Sequence, residues 1–319
     1  IPGIYCPALA GDRIFARWGY DRCPTDVAAF DMSTGKPTWS SALDRSWRQP
    51  AAPFRGERTM PLNDPVAADG RLYLLAFRPD DPEANPSTPY SLPLFLVCLD
   101  PNTGSRIWRT LIADEALRGR ANWHPDDELH DPAVYGNAVT AHEGAIYCAG
   151  NQGIVARCDA RDGTLEWAHR YPRTRLARKA ALVRDFGEGG HAIAWGAPPL
   201  VADKRVILMP RDYRGVFALN ADTGRLLWQN AFMQPSGLIG IHGGAVLVYD
   251  RQTLAALDLA TGAVRWFRHF EEGVCGRGQL IGSSLYVGTP NALCRIDADT
   301  GVVVERMPWG VEGRTIHDF

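Results

Sequence analysis

Short apolar runs alternate with polar turns along this chain, and helical periodicity is almost absent outside one segment. Runs such as Val27–Phe30, Leu94–Leu99, Gly215–Leu219 and Thr253–Leu257 have the length and composition of strands. Each ends in the same device: an acidic or amide residue, a Thr-Gly or Asp-Gly turn, and usually a tryptophan four residues after the glycine. The copies are Asp31, Thr34, Gly35, Trp39; Asp100, Thr103, Gly104, Trp108; Asp159, Asp162, Gly163, Trp167; Asn220, Thr223, Gly224, Trp228; and Asp258, Thr261, Gly262, Trp266. A sixth copy, Asp297, Thr300, Gly301, has Glu305 at the tryptophan position.

Each copy predicts a hairpin turn. An Asp or Asn side chain at a strand end accepts hydrogen bonds from backbone groups two residues on, and glycine supplies the positive φ of a tight turn. The tryptophan then lies on the returning strand. Five large rings in register favour packing between neighbouring units over stacking on a ligand.

A second hairpin precedes each device, marked by Gly11-Asp12, Ala68-Asp69-Gly70, Glu143-Gly144, Ala202-Asp203, Gly243-Gly244 and Gly282-Ser283. Each unit is therefore four short strands, A to D. Repeated four-stranded antiparallel units with no helical layer predict an all-β fold, a β-propeller of six blades in a single domain over residues 1–319.

Successive device glycines are 69, 59, 61, 38 and 39 residues apart, so the last two intervals define the basic unit. The excess lies in residues 40–63, 77–93, 110–131 and 169–192. The first, third and fourth join a D strand to the next A strand, and the second joins B to C. Both kinds of connection leave an antiparallel blade at the same end, so all four insertions are expected on one face, where a propeller's function would sit.

The pattern Ala-x-Asp-x-x-Thr-Gly-x-x-x-Trp, complete at Ala29–Trp39 and Ala256–Trp266, resembles the tryptophan-docking repeat of the pyrroloquinoline-quinone-like (PQQ-like) propellers. That superfamily includes quinoprotein alcohol dehydrogenases and BamB-type outer-membrane assembly lipoproteins. The resemblance spans about residues 4–308 and implies the fold strongly and the activity weakly. Family members commonly have seven or eight blades. Six complete units leave open either a small propeller or a portion of a longer one.

The resemblance implies work outside the cytoplasm, in the bacterial periplasm or at the cell surface, although no basic segment followed by an apolar core marks a signal peptide here. Quinoprotein dehydrogenases carry a vicinal cysteine pair, a calcium or lanthanide site and a catalytic aspartate. No two cysteines are adjacent in this chain, there is no Cys-x-x-Cys-His for covalent haem, and no catalytic residue of the family maps onto a numbered position. No cofactor is expected, with PQQ and calcium as the alternative.

At 319 residues, 45% hydrophobic and 22% charged, the composition is that of an ordinary globular chain without a transmembrane span. A formal charge of -2 gives no electrostatic reason to expect nucleic acid. The seven cysteines are an odd number without paired metal-ligand spacing. Cys98, Cys148, Cys158 and Cys294 lie in apolar runs and read as small buried residues. Cys6 and Cys23, in the first hairpin region, are the candidate pair for a disulfide, and the spacing leaves its state open.

The candidate chemistry gathers in two insertions. The third holds Trp123, His124, Asp126, Asp127, Glu128, His130 and Asp131; it reads as a solvated acidic loop, with divalent-cation ligation as the sharper alternative and no metal site assigned. The fourth holds Arg170, Arg173, Arg175, Arg178, Lys179 and Arg184, with a short amphipathic helix expected over 174–184. It suits a cross-loop ion-pair network or the capture of an anionic ligand or acidic segment. His191 follows among Gly189, Gly190 and Gly196. Ligand-binding candidates are Trp123, His124, Asp127, His130, Arg173, Arg175, Arg178, Lys179 and His191. The function expected is a non-catalytic scaffold holding a protein, peptide or saccharide on the insertion-bearing face. The alternative is a quinoprotein-like oxidoreductase using the central funnel.

Overall fold

The structure is a computed structural model, and it describes residues 7–18, 26–40, 60–61, 63–77, 90–117, 138–150, 153–172, 197–210, 213, 215–231 and 235–309. No helix occurs among the described residues, and the strands form six antiparallel sheets. The fold class is the one the repeats predict: all-β, with six blades of the propeller type. The chain divides into two compact units, Ile1–Arg173 and Thr174–Phe319, with three sheets in each.

In the first unit the sheets are β1 (Ala8–Ala10), β2 (Arg13–Trp18), β3 (Asp26–Asp31) and β4 (Pro37–Ser40); β5 (Met60–Pro61), β6 (Val66–Ala68), β7 (Arg71–Phe77), β8 (Tyr90–Leu99) and β9 (Arg106–Leu117); and β10 (Ala138–His142), β11 (Ala145–Gly150), β12 (Ile154–Asp159) and β13 (Leu165–Arg170). In the second they are β14 (Leu200–Ala202), β15 (Arg205–Leu208), β16 (Val216–Asn220) and β17 (Leu226–Asn230); β18 (Gly237–His242), β19 (Ala245–Tyr249), β20 (Thr253–Asp258) and β21 (Val264–His269); and β22 (Cys275–Ile281), β23 (Ser284–Gly288), β24 (Ala292–Asp297) and β25 (Val303–Pro308). Neighbours in sequence pair in order within each sheet, as a meander of hairpins requires. The exception is the second sheet, where β5 and β6 both pair with β7 and together take the place of one first strand.

The middle two strands of each sheet carry most of the burial; β11 is buried at every position. This is the pattern of strands covered on both faces. Four hydrophobic clusters fill the spaces between adjacent sheets: first and second around Phe15, Leu72 and Leu74; second and third around Tyr73, Leu96 and Ile146; fourth and fifth around Ile207, Val246 and Leu257; fifth and sixth around Leu247, Leu285 and Ile296. Cys98, Cys148, Cys158 and Cys294 are buried there as free thiols, as the apolar runs imply.

All six devices form the expected turn, and each also contains a bulge that the residue pattern does not announce. Opposite the third strand, one extra residue of the fourth is skipped just before the tryptophan position: Thr38, Ile107, Glu166, Leu227, Arg265 and Val304. Each bulge sets an extra residue of the fourth strand into the ladder with the third.

The β8–β9 hairpin departs from the expected insertions. Its strands are ten and twelve residues long and stay paired from Leu99 opposite Arg106 to Tyr90 opposite Leu117. Residues 90–93 and 110–117 are therefore strand rather than loop. A second bulge skips Ile112 between the pairs Phe95–Leu111 and Leu94–Ala113, and Ile112 is buried while Leu111 is exposed. A glycine-to-glycine interval counts residues without distinguishing a longer hairpin from a longer loop. Residues 60–61 of the first insertion are likewise paired, to β7.

Candidate functional site

The repeated polar device builds the joint between neighbouring blades. Within it, Asp31 Oδ1 accepts the Ser33 hydroxyl (2.6 Å), the Thr34 amide (2.8 Å) and the Thr34 hydroxyl (2.8 Å), while the Gly35 amide donates to Asp31 O at 2.8 Å. Asn220 makes the same contacts to Thr223 through its amide oxygen. The six device glycines have φ between 67 and 77°, a conformation that side chains disfavour.

At four joints the tryptophan of one blade then covers the turn of the next. Trp39 Nε1 donates to Pro101 O (2.8 Å), Trp228 to Leu259 O (2.9 Å) and Trp266 to Ala298 O (3.0 Å). The acceptor in each case is the residue after the turn's Asp. The indole lies so close over the glycine that a β-carbon at Gly104, Gly163 or Gly301 would sit 2.5 Å from Cε3 of Trp39, Trp108 or Trp266. A second donor, two residues after the tryptophan, reaches the carbonyl of the same glycine: Thr110 to Gly163 (2.5 Å), Asn230 to Gly262 (2.8 Å) and Arg268 to Gly301 (2.9 Å).

The Trp108 joint is wired differently. Its acceptor by analogy, Ala160 O, takes hydrogen bonds from the Tyr73 hydroxyl (3.1 Å) and Arg71 Nη1 (3.0 Å), and Trp108 Nε1 has no partner among the described residues. Burial, with Cys98 nearby, pushes the Tyr73 hydroxyl up to about 12, which keeps it a donor.

Shifted titrations in a cleft often mark catalytic groups. Here the shifted carboxyl groups trace to turns and ion pairs. Hydrogen bonds from Ser33 and Thr34 lower Asp31 to about 2; the Arg161 side chain does the same for Asp159, and Arg265 and Thr261 for Asp258. Thr300 lowers Asp297, and the Thr164 amide lowers Asp162. Burial pushes the Cys98 thiol up to about 11 and Cys158 up to about 12, and raises Cys148 strongly, so none is a ready nucleophile.

One ion pair crosses blades in a largely buried setting. Arg17 Nε on β2 lies 3.2 Å from Asp64 Oδ1 in the gap between β5 and β6, with both side chains nearly covered. Asn63 beside it accepts the Leu75 amide (2.7 Å), replacing the ladder bond lost where the strand breaks.

The binding candidates Trp123, His124, Asp127, His130, Arg173, Arg175, Arg178, Lys179 and His191 lie outside the described residues. So do Cys6, Cys23 and the helix expected over 174–184. Among the described residues no group of three or more His, Cys, Asp or Glu side chains is placed to hold a metal ion. No helix there is long and apolar enough to cross a membrane. The second donor of the joint has a signal in the sequence that the device pattern alone does not include: a polar residue two positions after a device tryptophan, present as Ser41, Thr110, His169, Asn230 and Arg268.

A family model described as the outer membrane protein assembly factor BamB matches residues 95–236 and 214–310. The match covers more than half of the chain, and the chain belongs to this PQQ-like repeat family. No curated protein matches the sequence. Among solved structures, BamB from Moraxella catarrhalis is similar at 15% identity and a TM-score of 0.58, over 95% of this chain and 73% of that one. A quinohemoprotein alcohol dehydrogenase from Comamonas testosteroni is similar at 13% identity and a TM-score of 0.56, over 96% of this chain and 59% of the enzyme. The computationally designed Ika8 protein matches at 12% identity and a TM-score of 0.56, over 97% of this chain and 74% of Ika8. At these identities the likeness is one of fold.

Proposed function

We propose that this chain is a non-catalytic interaction scaffold, a single propeller domain that holds a protein, peptide or saccharide partner on its insertion-bearing face. The observation that carries this reading is where the ionisable groups are used. The shifted carboxylates hold the chain's own turns and ion pairs, and the buried thiols lie in blade cores. Membership of the BamB family supports a binding role outside the cytoplasm, in the periplasm or at the outer membrane.

The β8–β9 hairpin supports the placement of the partner. Tyr90 pairs with Leu117, so the segments 78–89 and 118–137 both leave the sheet at one end. The second of these carries Trp123, His124, Asp127 and His130, and the basic run Arg173, Arg175, Arg178 and Lys179 begins where β13 has ended. Acidic and basic loops of this kind suit recognition by charge complementarity.

The second reading is a quinoprotein-like oxidoreductase, which the dehydrogenase likeness raises. Calorimetric titration of the purified protein with pyrroloquinoline quinone in calcium buffer, alongside a dye-linked alcohol oxidation assay, separates the two. The scaffold reading expects no saturable uptake and no dye reduction. Stoichiometric uptake with alcohol-dependent dye reduction would overturn it.

A further inference from the structure

Five of the six device turns centre on an aspartate, and the fourth centres on Asn220. Its amide oxygen accepts the Asp222 amide (3.1 Å) and the Thr223 amide and hydroxyl (both 2.9 Å), as Asp258 does with Ala260 and Thr261. The turn thus keeps its shape without the charge. Three cationic residues stand around it. Arg205 is the Cα partner of Asn220 across β15 and β16, Arg225 O accepts the Asn220 amide at 2.8 Å, and Lys204 O accepts the Ala221 amide at 2.8 Å.

At two other turns the device carboxylate engages an arginine. Arg265 puts Nε and Nη2 on Asp258 at 3.0 and 2.8 Å, and Arg161 puts Nε and Nη2 on Asp159 at 3.2 and 2.9 Å. At the fourth turn Arg205 Nη1 donates to Asp203 O (2.9 Å), and Arg205 Nε is buried with no partner among the described residues. No hydrogen bond or ion pair engages the Lys204 or Arg225 side chain among the described residues. Asp203 and Asp222 are the acidic residues of this pair of turns, which leaves one positive charge in excess. Lys204 is also held at φ 58°, whereas Gly70, Gly144 and Gly244 take the equivalent place in three other sheets, with φ between 68 and 73°. A side chain is disfavoured in this region, so the lysine stands against the turn's own preference.

We propose that Lys204, Arg205 and Arg225 around Asn220 form a recognition site for a carboxylate presented by an acidic segment of a second polypeptide. The other five turns define the occupant's chemistry, because each carries a carboxylate of its own at the place of Asn220. Charge-assisted hydrogen bonds from the two guanidinium groups and the lysine hold the incoming group. The β14–β15 and β16–β17 turns share one end of the sheet, and the insertions of the chain leave their sheets at the opposite end, which places the acidic segment on a partner. The site goes beyond the partner proposed for the insertion-bearing face by adding a contact at the other end. Quinone uptake would defeat that earlier reading and leave this site standing.

The test uses the full chain, labelled with 15N, and the end-blocked peptide Gly-Asp-Asp-Gly, with Gly-Asn-Asn-Gly and inorganic phosphate as comparison probes. Saturable shifts centred on the Lys204, Arg205 and Arg225 amides are expected with a dissociation constant of about 1 mM. Binding should weaken severalfold between about 50 and about 300 mM salt, as screening shortens the reach of the charges. Asn220→Asp installs the residue that the other five turns already use, so the variant keeps its fold, and its binding should fall at least about tenfold. Lys204→Gly should raise the urea midpoint by relieving the turn and weaken binding severalfold. Three outcomes overturn the proposal: no saturable shift at these amides with the aspartate peptide, equal binding by the asparagine peptide or by phosphate, or unchanged binding in Asn220→Asp or Lys204→Gly.

Discussion

Trp39 covers Gly104 so closely that a β-carbon on the glycine would sit 2.5 Å from Cε3 of the indole, while Nε1 donates to Pro101 O at 2.8 Å. The turn and the tryptophan are thus two halves of one joint between successive blades. The same polar residues that end one strand create the acceptor for the ring of the previous unit. Disturbing either half should therefore weaken the contact between sheets more than the hairpin itself.

Replacing Trp228 by phenylalanine removes the donor to Leu259 O, whose residue is only 3% exposed. An orphaned buried carbonyl costs about 1–3 kcal/mol beyond the lost ring area. Trp108→Phe should lack this penalty, because Ala160 O already holds Tyr73 and Arg71. Urea unfolding of the two variants should show the larger loss for Trp228→Phe.

Asn230→Ala removes the second donor of the same joint, the 2.8 Å bond to Gly262 O. A loss of about 1–2 kcal/mol is expected, within the range for a hydrogen bond whose partner stays buried. The exposed neighbour Leu227→Ala should change stability by less than about 0.5 kcal/mol, which the same unfolding measurement checks.

Asp31 is lowered from 3.8 to about 2 by hydrogen bonds to its ionised form from Ser33 and Thr34. A carboxyl group whose folded value is depressed adds stability above its unfolded value and loses it as pH falls through the folded value. The contribution is thus complete above about pH 4 and fades between pH 4 and 2. Asp31→Asn keeps the acceptor oxygen that Asn220 uses in the fourth copy, so its stability should vary less over this window. Thermal melts at steps from pH 5 to pH 2 read the difference.

The described cysteines should separate by exposure. Cys275 is exposed, whereas Cys98, Cys148, Cys158 and Cys294 are buried. Maleimide treatment of the native protein followed by peptide mass mapping should modify Cys275 and leave these four intact until denaturant is added. Modification of Cys148 at the native rate would contradict the blade-core placement.

Much of the fold could be read from residues at fixed offsets, because each device is local chemistry: an acceptor oxygen, a positive-φ glycine and a ring four positions on. The bulges at Thr38 and its five equivalents left no such trace, since a skipped residue depends on pairing with a strand across the sheet rather than on its own identity. The long β8–β9 hairpin reads as loop in the sequence for the same reason. Arg71 and Tyr73 taking over Ala160 O depended on contacts nearly ninety residues away in sequence. The forward direction of tryptophan docking is visible only in the joints themselves. The candidate binding residues from Trp123 to His191 belong to segments outside the described residues, so their role rests on chemistry and spacing.

The most direct measurement compares Gly35→Ala with Gly104→Ala by urea unfolding, since both glycines lie in the first compact unit. Each substitution carries the strain of a side chain at positive φ, about 1 kcal/mol. Only Gly104→Ala also drives a methyl group into Trp39, which should add about 1–3 kcal/mol. A clearly larger loss for Gly104→Ala is the expected result. Equal losses, or a larger loss at Gly35, would contradict forward docking of Trp39 onto the turn of the next blade.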